Sequence, residues 1–252
     1  MIAIVSDLHA NIEATEAVMA DIKAHNAEGE VICLGDIIGY GPNPCECLDK
    51  AMDFKVALQG NHEKALLVSM EGANFNEIAR EAIEWTRTQL DMLEPNTRKA
   101  NARRWDFMGE LDEAYKKDGM TFVHGTPRYP TLEYLYERDI NSPEKLNAIF
   151  ELIENVCFTG HTHVPGIWTD DMVFIPPREA NYRYRLTGKK TIINVGSVGQ
   201  PRDRDTRACY VLMEDDQIIF RRVEYPLEET YKKIRAIPQL NPSLAKRLKV
   251  AR

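Results

Sequence analysis

Long apolar runs are missing from this 252-residue sequence, and none approaches the roughly 18 residues that a membrane-spanning helix needs. The amino-terminal stretch "MIAIVSD" is apolar for only five residues, carries no basic residue and ends at Asp7. That pattern is typical of a buried strand and differs from a secretory signal peptide. We therefore expect a cytoplasmic protein that is not held in a membrane.

Cysteine is scarce and odd in number, with five residues at positions 33, 45, 47, 157 and 209. Three of them lie in apolar runs, where a free thiol behaves as a small hydrophobic side chain. Cys45 and Cys47 form a C-x-C pair, but no second pair is present to complete a zinc site. This usage argues against a disulfide framework and indicates a reducing compartment.

Positive charge is in the minority, because 32 lysines and arginines face 39 aspartates and glutamates and leave a net charge of −7. This balance argues against bulk binding to nucleic acid or to anionic membranes. Hydrophobic residues make up 44% of the chain, and its length allows a sizeable core. We expect one globular domain over residues 1–252, with a helical tail at about 227–252.

The first 70 residues repeat a strand–loop–helix pattern. The apolar runs "IAIVS", "VICLG" and "KVALQG" predict strands, and helices are expected from Ile12 to His25, near Glu46 to Met52 and from about His62. Asn11 is placed to cap the first of these helices. Strands that alternate with helices predict a mostly parallel sheet.

From residue 75 onward, a charged helical part is followed by a part with short strands. A charged helical pattern over 75–104 is interrupted at Pro95, and the strands "MTFVHG" and "VCFTGH" enclose helical stretches. After Gly166, the short runs "MVFIP", "TIINVG", "RACYVLM" and "QIIFRRV" predict an antiparallel meander. An amphipathic segment from Leu227 to Ile237 predicts a further helix.

Polar side chains follow five of the predicted strands, at the point where each strand ends. They are Asp7, His9, Asp36, Asn61, His62, His124, His161 and His163. Because catalytic and binding residues gather at the carboxyl ends of strands in α/β sheets, we expect them to lie together. A packed core gains nothing from collecting five of the chain's 6 histidines in this way.

Each fragment alone has an ordinary explanation, since a strand-end aspartate can form a turn or cap a helix. Together, however, Asp7, His9, Asp36, Asn61, His124, His161 and His163 provide seven oxygen and nitrogen donors, more than one tetrahedral zinc requires. Seven donors suit two divalent cations that share a carboxylate. Manganese is expected first, with iron, zinc, nickel or cobalt as alternatives. Such a pair can activate a hydroxide and hold both oxygens of an in-line displacement.

The blocks "DLH", "GD", "GNHE", His124 and "GHTH" together resemble the calcineurin-like metallophosphoesterase superfamily. The later stretch "NVGSVGQPRD" is similar to its small bacterial and archaeal phosphoesterases. This resemblance implies an α/β fold, a four-layer αββα sandwich of two mixed sheets flanked by helices. It also implies an enzyme, a metal-dependent hydrolase.

The resemblance further implies a role for each residue of the set. Asp7, His9 and His163 would bind one metal, Asn61, His124 and His161 the other, and Asp36 would bridge the two. His62 would not bind metal but would protonate the leaving alkoxide or stabilise the transition state.

The stretch "GDIIGYG" departs from one branch of the superfamily. Serine/threonine protein phosphatases read G-D-x-x-D-R-G here, and their arginine binds phosphate. This chain has Gly39 in place of the second aspartate and Tyr40 in place of the arginine. A protein-phosphatase activity is therefore not expected.

Residues 178–207 carry eight basic and three acidic side chains, most of which we expect on a solvated surface. Arg202, in a glycine-rich loop, is expected to border the metals and to hold phosphate oxygens. Asn11, Tyr40 and Thr126 are further candidates for substrate binding.

The leading hypothesis is a dinuclear metal phosphoesterase that hydrolyses phosphomono- or phosphodiester bonds of a small molecule or nucleotide. One alternative is a metal-binding scaffold of the same fold, such as the retromer subunit, which has lost parts of the motif that this chain keeps. The other is a nuclease, against which the acidic charge and the lack of an evident aromatic stacking platform argue.

Overall fold

A computed structural model describes residues 1–68, 75–92 and 95–252, apart from the side chains of 95 and 96. The strands in the described residues are β1 Ile2–Val5, β2 Val31–Cys33, β3 Val56–Ala57, β4 Ala114–Lys117, β5 Met120–Val123, β6 Val156–Thr159, β7 Gly166–Thr169, β8 Phe174–Ile175, β9 Arg183–Arg185, β10 Thr191–Asn194, β11 Ala208–Glu214 and β12 Gln217–Val223. The α-helices are α1 Ile12–Ala24, α2 Pro44–Ala51, α3 Asn61–Leu67, α4 Glu77–Leu90, α5 Pro95–Gly109, α6 Pro143–Phe150, α7 Leu227–Ala236 and α8 Pro242–Val250.

The strands form two mixed sheets of six. The first has the order β3-β2-β1-β11-β12-β9, and the second has the order β4-β5-β6-β10-β7-β8. Within the first sheet, β1, β2 and β3 run parallel, and within the second β5, β6 and β10 do so. The carboxyl ends of β1, β2, β3, β5 and β6 carry the loops that contain the predicted site residues.

Alternating side chains divide each sheet between two hydrophobic layers. Ile4 of β1 and Phe158 of β6 belong to the core between the sheets, whereas Ala3 and Val5 face the layer under α1, α2, α4 and α5. Cys157 packs against α6 on the outer side of the second sheet. The layers therefore run helix, sheet, sheet, helix, and the predicted αββα sandwich is confirmed.

The predicted antiparallel meander after Gly166 is right for the β11–β12 hairpin and wrong as a single sheet, because the strands are divided between the two sheets. Strand β10 lies between β6 and β7 in the second sheet and runs parallel to β6, while β11 crosses to the first sheet and pairs with β1. All four residues of β10 are buried, which suits a central strand covered on both faces and not a meander with one solvated face. The expected helix after Pro226 is α7, and α8 follows it.

The carboxy-terminal helices pack beside the predicted site. Leu244 and Leu248 of α8 share a hydrophobic cluster with Tyr40 and with Trp85 of α4. Asn241 caps α8, because its Oδ1 accepts a hydrogen bond from the backbone of Ser243. Among the described helices, none has the length and apolar character required to pass through a bilayer.

Candidate metal centre

Strand ends of both sheets meet at one place and bring the predicted site residues together. The first sheet supplies Asp7, His9, Asp36, Asn61 and His62, and the second supplies His124, His161 and His163. All eight residues are buried, and the most exposed of them, Asn61, is 7% exposed. The remaining histidine, His25, lies at the end of α1 and is not part of this cluster.

Five of these residues have a left-handed backbone, which residues with side chains seldom adopt. The φ angles are 55° for Asp7, 46° for His9, 52° for Asp36, 65° for His161 and 60° for His163. Such conformations persist only where the surrounding structure holds them, and they concentrate at functional sites.

A first group of four side chains surrounds one point. Ligand atoms of Asp7, His9, Asp36 and His163 all lie within 4.8 Å of one another. The Nε2 atoms of His9 and His163 are 3.1 Å apart, and Nε2 of His163 is 3.2 Å from Oδ1 of Asp7. Nε2 of His9 is 3.7 Å from Oδ2 of Asp36.

Asp36 also belongs to a second group, with His124 and His161. Nε2 of His124 lies 3.2 Å from Oδ2 of Asp36 and 2.9 Å from Nδ1 of His161. Oδ1 of Asn61 joins this group at 3.0 Å from Nε2 of His124. The seven side chains thus form two groups that share Asp36, the same grouping that the family resemblance implies.

The hydrogen bonds of the imidazoles decide which ring nitrogen carries a lone pair. Three rings face backbone carbonyls, His9 Nδ1 at 3.1 Å from Ile38 O, His163 Nδ1 at 2.6 Å from Gln200 O and His161 Nε2 at 3.3 Å from Leu132 O. Because a carbonyl only accepts, each of these nitrogens donates its proton, and the other nitrogen of a neutral ring keeps a lone pair.

Those lone pairs converge without a proton between them. Nε2 of His9 faces Nε2 of His163, although two lone pairs cannot hydrogen-bond to each other. Among the described residues, Oδ1 of Asp7 is likewise buried without a hydrogen-bond partner. Imidazoles held by a carbonyl on one nitrogen are typical metal ligands. The donor set therefore fits bound cations.

Burial keeps most of these imidazoles neutral. It lowers the pKa values of His9, His161 and His163 well below their usual range, since the interior disfavours the charged ring. His124 differs from them, because the charge of Asp36 and its hydrogen bond outweigh burial and raise the pKa of His124 to about 9.

The two carboxylates have opposite pKa shifts. Burial raises the pKa of Asp7 to about 7, and the charge of Asp36 adds to this effect. Burial alone would also raise the pKa of Asp36, but the charges of His124 and His62 and a hydrogen bond with His124 lower it well below its usual range. Asp36 is thus the ionised carboxylate shared by the two groups.

His62 lies beside the metal-ligand candidates and joins neither group. Its backbone N–H donates to Oδ1 of Asp36 at 2.9 Å, and Nε2 of its ring lies 4.0 Å from Oδ2 of that residue. The ring packs edge-on against His9 and Tyr40, with centroids 4.8 Å and 4.5 Å away. Burial lowers the pKa of His62 to about 4, so its imidazole is neutral near pH 7.

Tyr40 and Arg202, two of the predicted substrate-binding residues, lie at the edge of the cluster. The Tyr40 ring is 4.6 Å from the ring of His9, and Cζ of Arg202 lies 5.8 Å from the Tyr40 centroid. The backbone N–H of Arg202 donates to the carbonyl of His163 at 3.2 Å. Both side chains are therefore within reach of a ligand at the metal centre.

Asn11 and Thr126 have other partners in the structure. Oδ1 of Asn11 accepts from the backbone of Ala14 and from the Thr230 hydroxyl, so Asn11 caps α1 as its sequence position suggests. The hydroxyl of Thr126 donates to Glu133, which also pairs with Arg128. Neither residue enters the function proposed below.

Glu63 supports the site, although the sequence pattern assigned it no role. This fully buried carboxylate accepts from the backbone N–H groups of Asp36 at 2.9 Å, Ile38 at 3.0 Å and Gly60 at 2.9 Å. It ties the loop after β2 to the start of α3. Its signal in the sequence is its place three residues after Gly60, the spacing of a capping box.

Tyrosines at the rim were also missed. The Tyr134 ring stacks on His161 with centroids 3.7 Å apart, and Tyr136 stacks on Tyr134 at 5.6 Å. Tyr134 is 40% and Tyr136 38% exposed, so the site does have an aromatic surface next to it. Their alternate spacing in "LEYLYE" was the available signal, because such residues share a face of an extended chain.

Comparison with known proteins agrees with this geometry. The calcineurin-like phosphoesterase superfamily domain matches residues 1–217. The uncharacterized protein MJ0912 of Methanocaldococcus jannaschii is 34% identical over 245 residues, which cover 93% of this chain and 91% of that protein. A metallophosphoesterase from Sphaerobacter thermophilus superposes with a TM-score of 0.82 at 34% identity, covering 100% of this chain and 98% of that one.

The hypothetical protein PH1004 of Pyrococcus horikoshii OT3 has the same fold, with a TM-score of 0.76 at 16% identity over 100% of this chain and 98% of that one. The family match covers most of the chain and includes every residue of the buried cluster. This chain therefore belongs to the calcineurin-like phosphoesterase superfamily.

Proposed function

We propose that this protein is a phosphoesterase with two divalent cations that hydrolyses phosphomono- or phosphodiester bonds of a small molecule or nucleotide. The observation that carries the proposal is the convergence of the proton-free lone pairs of His9 and His163 beside the carboxylates of Asp7 and Asp36. The membership of a phosphoesterase superfamily supports the reaction type.

In this proposal one cation would be held by Asp7, His9 and His163, the other by Asn61, His124 and His161, and Asp36 would be a ligand common to the two. Manganese is the expected metal, because mixed histidine, carboxylate and amide donors suit it and its neighbours in the first transition row. When bound, the cations would polarise the phosphoryl group and lower the pKa of water.

His62 is the proposed catalytic residue. Its ring is buried against His9 and Tyr40, which fixes its orientation beside the cluster. With a pKa lowered to about 4, the imidazole is neutral and can donate one N–H to the leaving oxygen. The neutral ring favours transition-state stabilisation over full protonation of the leaving group.

Arg202 is the proposed phosphate ligand of the site. Position 40, where the protein phosphatases carry their arginine, holds Tyr40 here, and the guanidinium of Arg202 lies over that ring. A guanidinium can hold two phosphate oxygens at once, so Arg202 can orient the phosphoryl group from the loop after β10.

The proposal also includes the cellular location of the enzyme and the extent of its domain. Five free cysteines, four of them buried, support a reducing cytoplasmic location. Residues 1–252 are proposed as one domain, because α8 shares a hydrophobic cluster with Tyr40 at the edge of the site.

The test is a screen of phosphomonoesters, phosphodiesters and cyclic phosphoesters with added Mn²⁺ and, separately, with a chelator. We expect Mn²⁺-dependent turnover that the His62→Ala variant reduces by roughly 10²- to 10⁴-fold while its metal content stays that of wild type. His25→Ala is the matched control and should keep full activity. Bound metal without turnover of any phosphoester would favour a scaffold instead, and full activity of His62→Ala would remove the catalytic role.

A further inference from the structure

The guanidinium of Arg202 has unused hydrogen-bonding capacity at the edge of the metal centre. Its Nη2 donates to Oε1 of Gln200 at 2.9 Å, while its Nε is buried and has no partner among the described residues. The backbone N–H of Arg202 donates to the carbonyl of His163 at 3.2 Å, so this residue adjoins one of the ligand candidates.

A second arginine approaches Arg202 from the carboxy-terminal helix. Arg247 lies on α8, between Leu244 and Leu248, which pack in the same cluster as Tyr40. The backbone N–H of Arg204 donates to the carbonyl of Ala251 at 3.0 Å and holds the end of α8 against the Arg202 loop. Burial and then the charge of Arg202 lower the pKa of Arg247, as expected of two neighbouring cations.

Several arginines in the described part of the chain pair with carboxylates, whereas Arg202 and Arg247 do not. Six arginines form ion pairs with carboxylates, Arg104 with Asp49, Arg128 with Glu133, Arg185 with Asp216, Arg207 with Asp205, Arg221 with Asp21 and Arg222 with Asp203. Arg202 and Arg247 are partly buried, and no described carboxylate lies within 4.0 Å of either guanidinium. Partly buried like charges without a counterion are unfavourable, so we expect the two arginines to bind an anion.

We propose that Arg202 and Arg247 form, beside Tyr40, a subsite for a second phosphate group of the substrate, with Arg202 shared between that group and the phosphoryl group at the metal centre. The substrate class is then phosphoesters that carry a second phosphate group, such as nucleoside 3′,5′-bisphosphates, with one of the two ester phosphates at the metal centre. Guanidinium groups match phosphate oxygens in geometry and charge. For the reaction, this inference rests on the proposed function. The binding of an anion by Arg202 and Arg247 does not depend on it.

Binding is measured first, without metal, by titration calorimetry of inorganic pyrophosphate into the full chain in the presence of chelator. Arg247→Ala should weaken binding by about 10-fold or more, because it removes a charge-assisted contact. Lys246→Ala, an exposed neighbour on the same helix, should bind as wild type does. Equal affinities of wild type and Arg247→Ala would overturn the subsite.

Turnover is then compared for adenosine 3′,5′-bisphosphate and p-nitrophenyl phosphate with Mn²⁺. The ratio of their kcat/KM values should fall by about 10-fold or more in Arg247→Ala and in Arg247→Gln, mainly through KM, and Arg247→Lys should restore part of it. Lys246→Ala should leave the ratio unchanged. The same fall in Arg247→Ala and Arg247→Gln would show that the effect does not come from misfolding of one variant.

Failure of the two proposals can be told apart. Pyrophosphate binding that depends on Arg247, without hydrolysis of any phosphoester, would retain the subsite and reject the phosphoesterase. Hydrolysis of p-nitrophenyl phosphate together with an unchanged ratio in the Arg247 variants would retain the phosphoesterase and overturn the subsite.

Discussion

Gly39 provides the space that the imidazole of His62 fills. A β-carbon built on residue 39 would overlap with Nδ1 of the His62 ring. Residue 39 also has a φ of +87°, a conformation that favours glycine. The loop after β2 therefore sets the position of the proposed catalytic imidazole, although Gly39 has no side chain of its own to contribute.

Gly39→Ala should displace His62 from the metal centre. We expect kcat to fall by at least about 10-fold with metal content retained, because a small misplacement of a catalytic group slows the reaction strongly. The control is Gly188→Ala, which shares the strained backbone with a φ of +82° but would meet no atom within 4 Å. Steady-state kinetics and elemental analysis check both variants, and equal activities would contradict the role given to Gly39.

Metal content should depend differently on Asp36 and His163. Asp36 lies in both groups of ligand candidates, whereas His163 lies in one. Asp36→Ala is therefore expected to weaken the binding of both cations, and His163→Ala to lose one of them. Elemental analysis after dialysis against Mn²⁺ measures the difference, with His25→Ala as the control that keeps both. Full metal content in His163→Ala would remove it from the ligand set.

Glu63→Ala should unfold more easily than wild type. The change leaves three buried backbone N–H groups without their carboxylate acceptor, and we expect the free energy of unfolding to fall by about 3 kcal/mol or more. Glu63→Gln keeps one side-chain oxygen as acceptor and should lose less. Urea denaturation compares both with Glu84→Ala, an exposed position on α4. A change below about 1 kcal/mol in Glu63→Ala would contradict this role.

The Asp205–Arg207 pair should stabilise the fold only above acidic pH. Hydrogen bonds from Arg207 hold the pKa of Asp205 at about 2, below its usual value, so the unfolded chain binds more protons than the folded one. The stabilisation is complete above about pH 5 and is lost as the pH falls toward about 2. Arg207 is 41% exposed and solvent screens the pair, so we expect about 1 kcal/mol.

The measurement is the difference in unfolding free energy between wild type and Asp205→Asn, followed by urea denaturation from pH 6 to pH 3. This difference should shrink as the pH falls. Asp170→Asn, at an exposed position, serves as the control and should show no such trend. A difference that stays constant or grows toward acid would contradict the prediction.

Strands and helices with a strong local pattern were predicted well. The buried runs of β1, β2, β5 and β6 were found because each is largely apolar, and Asn11 marks the start of α1. The predicted interruption lies at Pro95, the residue at which α5 begins. Strands β4, β7 and β9 were missed. Strands β4 and β9 are short and largely exposed, and neither has an apolar pattern of its own. Pairing with a neighbouring strand holds each of them extended.

The order of residues by itself determined which polar side chains follow buried strands, because strand ends and left-handed turns are local properties of the chain. Only the tertiary structure decided that His9 meets His163 across 154 positions, that carbonyls orient the imidazoles, and that the end of α8 docks against the Arg202 loop. Those contacts depend on how two sheets pack face to face and where the last helix docks. Such packing is set by the summed burial of many distant side chains, which no short stretch of sequence displays.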